Sequence, residues 1–265
     1  MGSLLACRRA RQRSDGVALG IDLRAAEAYV VRGERRGAKN VAVTRALRVE
    51  LENGNALVQA LEREGIAERD AVIAFAPSDV RTGPLPNGTL LERKHHTSSA
   101  EVYAEDLIQA VPNGDERIAR LVVHEGKATI VATLASAKAR TLARAEQLGL
   151  HVVAIDAPGL AWLRVAPQGI AVLGEGAMVV APTETGLFSQ HIGADAPDVT
   201  ASIVQILANA RGRYGYAGDT IATNAPEGHP LYHASSETRF EPLTVEAHLT
   251  PPWALAYGLL RWSLA

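Results

Sequence analysis

The side chains able to do chemistry are few, and most of them read as scaffold. His95 and His96, with Glu92 before them and His124 further on, supply the imidazoles and carboxylate that a divalent metal takes. Adjacent residues of an extended segment point to opposite faces, however, and Arg93 and Lys94 repel a cation, so the group reads as a solvated loop. His229 and His233 flank Pro230 and read the same way. Ser98-Ser99 lacks the frame of a nucleophile elbow, and no Ser, His, Asp order accompanies it. Cys7 is the single cysteine, which excludes an internal disulfide or a cysteine metal cluster and suits a reducing compartment. No metal site is expected. What remains is Asp22, a carboxylate closing the apolar run Val17–Ile21, with Arg24 two residues beyond it.

These residues sit in a chain of 265 residues, 47% hydrophobic and 21% charged, with a mean hydropathy of +0.01. That is globular composition, and the length allows two compact halves. A net charge of −2 and 5% aromatic residues give neither the field nor the stacking platform of a nucleic-acid binder, so no nucleic-acid partner is expected. No apolar run approaches the roughly 20 residues that span a bilayer. At the start, Arg8, Arg9, Arg11 and Arg13 form a basic arm over residues 1–15, able to touch anionic lipid. Leu4-Leu5-Ala6-Cys7 fails as a signal cleavage box because its arginines follow the apolar residues, and Ala6 fails the myristoylation pattern.

The elements that position Asp22 follow from periodicity. Val17–Ile21, Ala28–Val31 and Val41–Leu51 read as three strands joined by tight turns, an antiparallel meander. Asn53-Gly54-Asn55 caps a helix with Leu57, Ala60 and Leu61 on one face, ended by Gly65, and Ala71–Ala76 returns as a buried parallel strand stopped by Pro77. About 150 residues later the order repeats. Gly169–Leu173, Ala177–Ala181 and Gly186–Ile192 form a second meander, Asp198 caps a helix striped by Val199, Ile203, Ile206, Leu207 and Ala210, and Thr220–Thr223 is a strand. A β-β-β-α-β unit present twice suggests duplication. Between the copies lie a helix over 101–108, a hairpin over 120–132, a helix over 137–148, a strand over 151–155 and a short helix opened by Pro158. Pro251-Pro252 starts a closing helix in which Gly258 permits close packing.

A doubled unit of this kind, with Gly20-Ile21-Asp22 ending its first strand, resembles the actin-like ATPase fold of actin, Hsp70 chaperones, FtsA and sugar kinases. The order of several phrases narrows the resemblance to the type IV pilus assembly protein PilM and the cytoplasmic part of the type II secretion protein GspL. These are Val72–Pro77 before Arg81, Glu105-Asp106 through Pro112, Ala145 through Leu150, Val153-Ala-Ile-Asp-Ala-Pro-Gly-Leu160 and Ala254-Leu-Ala-Tyr-Gly258. The resemblance implies an α/β (α+β) chain of duplicated actin-like, RNase H-like lobes with a small inserted α+β module. The expected division is a first lobe over 16–165, with the insertion at about 80–155, and a second, reduced lobe over 166–265 closed by helix 251–264.

In that fold two glycine-rich hairpins hold the nucleotide phosphates, because glycine lets backbone N–H groups approach the charge. The resemblance places Asp22, Arg24, Gly174, Glu175, Gly176, Thr223 and Asn224 at this cleft. Arg24 stands where the family has glycine, Gly174 where it repeats the aspartate, and Thr223-Asn224 replaces the paired glycines under the adenosine. The resemblance therefore implies a catalytically silent, cytoplasmic adaptor with no cofactor. Its partner would be the cytosolic tail of a PilN-like or GspM-like bitopic inner-membrane protein, with other assembly-platform components, in a pilus, competence or secretion machine. Val72, Phe75, Leu85, Leu90 and Leu107 would wall the tail groove. The alternative is an active ATPase or kinase in which Asp22 and Glu175 share magnesium and Arg24 binds phosphate. A third reading is a two-metal nuclease using Asp22 with Glu50 or Asp79.

Overall fold

The computed structural model describes residues 16–36, 40–85, 103, 105–124, 127–174, 176–245 and 249–264. The arginine-rich arm, Glu92, His95, His96, Ser98 and Ser99 lie outside the described residues. The chain divides into two compact units, each assembled from separated stretches.

The first unit comprises the chain up to Ala76, Ser136–Val165 and the chain from Val245. Its sheet has the order β3-β2-β1-β4-β8, formed by β1 (Val17–Leu23), β2 (Glu27–Arg36), β3 (Asn40–Glu50), β4 (Asp70–Ala74) and β8 (His151–Asp156). The first three strands are the expected antiparallel meander, and β4 and β8 continue it in parallel. Central β1 and β4 are near-continuous apolar runs because both of their faces are covered. Helix α1 (Ala56–Arg63) buries Leu57, Ala60 and Leu61, as its spacing predicts. Its N-cap is Asn55, whose side chain makes no capping bond; Asn53 Oδ1 instead accepts from the Asn55 N–H at 3.0 Å. Helices α2 (Ala135–Gln147) and α3 (Pro158–Leu163) flank β8 in sequence.

Two boundaries differ from the expected division. The closing helix (Ala254–Leu264, here the last helix of the chain) packs on β1, β2 and β4 and on α3, so it belongs to the first unit and not the second. Glycines decide this. A Cβ on Gly20 of β1 would overlap the Ala256 carbonyl oxygen, and a Cβ on Gly258 would overlap that of Ala161 in α3. Strand β8, expected in the inserted module, is the fifth strand of the first sheet, held in parallel register with β4 from Asp70↔His151 to Ala74↔Asp156.

The second unit comprises Pro77–Ala135 and Ala166–Thr244. Its sheet has the order β13-β12-β9-β10-β11-β5-β7-β6 among the described residues. The strands β9 (Ile170–Gly174), β10 (Gly176–Pro182) and β11 (Leu187–Ile192) form the second meander, and β12 (Thr220–Thr223) and β13 (Arg239–Pro242) extend it in parallel. Read from meander to last parallel strand, the order repeats that of the first sheet. The next helix, α4 (Val199–Tyr214), is capped as expected by Asp198, which accepts from the Ala201 N–H at 2.8 Å, and ends at Gly215 in the left-handed region, φ +67°. Its Ile203, Ile206, Leu207 and Ala210 fill a core with Ala171, Val179, Ile221 and Phe240.

The inserted hairpin, β6 (Arg117–His124) and β7 (Lys127–Leu134), joins this sheet through β5 (Val80–Pro84). The β5–β11 seam has one register pair, Ser189↔Thr82, whose hydroxyls are 2.5 Å apart. Side chains supply more of the seam: the Leu187 N–H donates to Thr129 Oγ1, and Lys127 Nζ donates to the Thr183 carbonyl, both at 2.8 Å. The closing helix, Ala254–Leu264, is α5 below.

Candidate functional site

The expected nucleotide residues fall at two strand ends, one in each unit. In the first unit, β1 delivers Asp22 at 7% exposure, and the turn into β2 is closed by an Arg24 N–H to Glu27 carbonyl bond of 2.9 Å. That turn folds the Arg24 side chain back over the strand end. Its Nε donates to Asp22 Oδ2 at 2.9 Å, Nη1 lies 3.4 Å from Glu27 Oε1, and Nη2 donates to the Pro252 carbonyl at 3.1 Å. The guanidinium carbon stands 4.2 Å from the centroid of the Tyr29 ring, and Trp253 meets that ring edge-on at 5.2 Å. Each of the three Arg24 nitrogens thus faces a carboxylate or a carbonyl, and one face of the plane lies on a π surface.

The charges follow this geometry. Burial pushes the Asp22 carboxyl above its ordinary range, and the Arg24 guanidinium opposes it. Partial burial also works against the Glu27 charge, but Arg48 and the Tyr29 hydroxyl outweigh it and hold that carboxyl low. Arg144 of α2 adds a second anchor by donating to the carbonyls of Arg24 and Ala25. At the end of β8, Asp156 is likewise buried and paired, with Arg164 on Oδ2 and the Ala157 N–H on Oδ1.

In the second unit, Gly174 and Gly176 are paired where β9 turns into β10; Glu175 lies outside the described residues. Gly176 has φ +85°, and a Cβ there would overlap the Ile192 carbonyl oxygen, whereas Gly174 faces open space. Thr223 is buried and its Oγ1 accepts from the Ala225 N–H at 3.1 Å. Asn224 completes the parallel ladder with its side chain: Oδ1 accepts from the Leu173 N–H at 2.6 Å, and Nδ2 donates to the Leu173 carbonyl at 2.8 Å. Its amide stands in for a peptide group.

The residues expected to wall a tail groove need correction. Val72 and Phe75 are each 1% exposed and Leu85 is 4% exposed, so their side chains belong to the core. Nor does β4 offer a free edge, since it lies between β1 and β8, and Leu85 belongs to the other unit. Leu85 packs in a small cluster with Ala128 and Ile130, against which partly buried Leu107, Tyr103 and Leu121 rest. Leu90 lies outside the described residues. Among the described residues no three His, Cys, Asp or Glu side chains converge to hold a metal. His229 has a structural task, its Nδ1 accepting from the Leu231 N–H at 3.2 Å.

Sequence reasoning missed Glu27, Tyr29 and Trp253 around Arg24. Tyr29 had a local signal, an aromatic opposite Asp22 in the β1–β2 register. Trp253 had none, since only folding brings it to the turn.

The duplicated sheet order with helices beside it is the actin-like architecture. Two solved structures share it across nearly the whole chain. One, described as the PilM-PilN type IV pilus biogenesis complex, is 15% identical with a TM-score of 0.60, covering 94% of this chain and 98% of that one. The other is the cytoplasmic domain of EpsL, an inner membrane component of the type II secretion system of Vibrio cholerae. It is 16% identical with a TM-score of 0.54, covering 93% of this chain and 94% of that one. No protein-family model matches the sequence, and no curated protein matches it. Among the described residues, no helix is long and apolar enough to cross a membrane.

Proposed function

We propose that this chain is a cytoplasmic adaptor of a type IV pilus, competence or type II secretion-like assembly, with a degenerate nucleotide site. In this reading it binds the cytosolic tail of a PilN-like or GspM-like inner-membrane protein. The observation that carries it is the Arg24 guanidinium on Asp22, because the carboxylate that would face a metal is already neutralised from within the chain. Asn224 adds support: both polar ends of its amide are spent on Leu173. The fold shared with the PilM-PilN complex and with EpsL supplies the assembly context. The arginine-rich arm would hold the protein near anionic lipid.

An extended tail gains affinity by adding main-chain bonds to a free sheet edge. Among the described residues β6 is such an edge, and its Val123 is 58% exposed, an apolar anchor for one tail side chain. Calorimetry tests both parts. ATP with Mg²⁺ gives no heat, while a cytosolic tail peptide of a PilN-like or GspM-like protein binds at micromolar concentration and Val123→Glu weakens it about tenfold. Micromolar ATP binding with phosphate release overturns the reading in favour of an ATPase or kinase, and manganese-dependent DNA cutting in favour of a nuclease.

A further inference from the structure

We propose that the end of β1 is a guanidinium-binding cage, occupied in the resting protein by the chain's own Arg24, and open to an arginine side chain only when Arg24 leaves. The chemistry is specific. A buried carboxylate, Asp22, meets Nε; a second carboxylate, Glu27, and the Pro252 carbonyl meet the two terminal nitrogens; the Tyr29 ring lies under the plane. A planar fork with donors on three sides and a π-stacking face uses all four groups, whereas a compact ammonium uses one or two. The cage is supported independently of its occupant. Tyr29 is met edge-on by Trp253, and Glu27 is held by Arg48 Nε at 2.5 Å. The occupant is the looser part, since the Arg24 side chain is 40% exposed while that of Asp22 is 10% exposed. The site therefore has solvent access on the side of the plug.

This takes the degenerate-site reading one step further, and the test separates the two because it is run without nucleotide. Thermal melts of wild type, Arg24→Ala and Arg24→Gln are recorded with methylguanidinium, methylammonium or Mg²⁺. With methylguanidinium at tenfold its Kd, both variants gain about 2–4 °C while the wild type does not respond. Adding Asp22→Asn to Arg24→Ala abolishes the gain. Equal shifts in wild type and variants, no shift in either variant, or an equal or larger response to methylammonium or Mg²⁺ overturns the cage. Should both variants fail to fold alone, refolding in methylguanidinium decides it: recovery supports the cage and continued failure overturns it. ATP-Mg²⁺ heat in the wild type would sink the degenerate-site reading while leaving the rescue result standing.

Discussion

The two units carry the same strand order and end their first strands in opposite ways. At the end of β1 the chain places a buried carboxylate, an arginine and two aromatic rings; at the end of β9 it places two glycines and an amide that repairs the ladder. The shared part is apolar: a meander, a helix and a first parallel strand, β4 in one unit and β12 in the other, that is largely buried. The divergent part is polar and sits where strands stop. Sheet order is thus set by burial, which tolerates many sequences, while a strand end is set by a few side chains that can be exchanged for another self-consistent set.

The sharpest way to break this contrast is through glycine. Gly258→Val drives a Cβ into the Ala161 carbonyl and Gly20→Val drives one into that of Ala256, both backbone atoms that cannot swing aside. Each is expected to cost about 3–5 kcal/mol or to prevent folding, read from denaturant midpoints. Gly174→Ala in the second unit meets nothing within contact range and should stay within about 1 kcal/mol of wild type. A large loss at Gly174 would mean that the β9–β10 turn is as constrained as the β1–α5 contact.

Next in size is Asn224. Removing its amide in Asn224→Ala strands both the N–H and the carbonyl of Leu173 at the end of the ladder, so the expected loss is about 2 kcal/mol. Asn224→Asp retains the acceptor for the N–H but sets a carboxylate against the carbonyl, and should be no better than Ala. Equal stability of Asn224→Ala and wild type would show that solvent replaces both bonds, leaving the residue free for a ligand.

What was legible in the sequence follows the same division. The meanders, α1, the Asp198 cap and the stripe of α4 are local patterns, and period and capping chemistry exposed them. Strand β5 was hidden because Gly83 and Pro84 are strand-breaking signals; the Leu107 side chain lies over Gly83, close to where a Cβ would sit. Strand β13, Arg239–Pro242, has a single buried apolar residue, Phe240, and no alternation to read. The ownership of α5 was not legible either, since its apolar residues are compatible with either sheet and only the glycine contacts at Gly20 and Gly258 choose between them. At the site, Asp22 and Arg24 were both singled out, but not their bond to each other; the ring beneath the guanidinium and the carbonyl beyond it come from Tyr29 and Pro252, and Pro252 is 228 residues distant from Arg24.

Arg24→Ala tests the first strand end, with an expected loss of about 1–2 kcal/mol at neutral pH, discounted because the guanidinium is partly exposed. Its pH dependence carries more information than its size. Burial raises the Asp22 pKa from its ordinary 3.8 and Arg24 opposes that rise, so without Arg24 it climbs further. A raised carboxyl contributes stability that is full below 3.8 and is lost as pH rises through the folded value. The deficit of Arg24→Ala should therefore be widest at neutral pH and narrow on acidification, once Asp22 takes up a proton. A deficit constant from pH 7 to pH 4 would mean that Arg24 acts by packing on Tyr29 alone.

Glu68 supplies the opposite sign within the same unit, and the smallest effect. Arg32 Nη2 donates to its Oε1 at 2.8 Å and Arg32 Nε does so at 3.2 Å, and this bonding lowers the Glu68 pKa from 4.5 against the partial burial that resists it. A lowered carboxyl contributes stability that is present above 4.5 and lost as pH falls through the folded value. Glu68→Gln should cost about 0.5–1 kcal/mol above pH 5. That gap should close as pH falls below 4.5, while the Arg24→Ala gap narrows on acidification for the contrary reason. In one case the wild type loses a charged partner on acidification; in the other the variant is relieved of an unpaired charge. Urea melts of Glu68→Gln, Arg24→Ala and the double variant between pH 3.5 and pH 7 separate them. The wild-type curve falls toward acid in the first comparison, whereas in the second the variant curve rises toward it. Parallel curves for all three would show that both pairs are screened by solvent and that neither strand end depends on its charges.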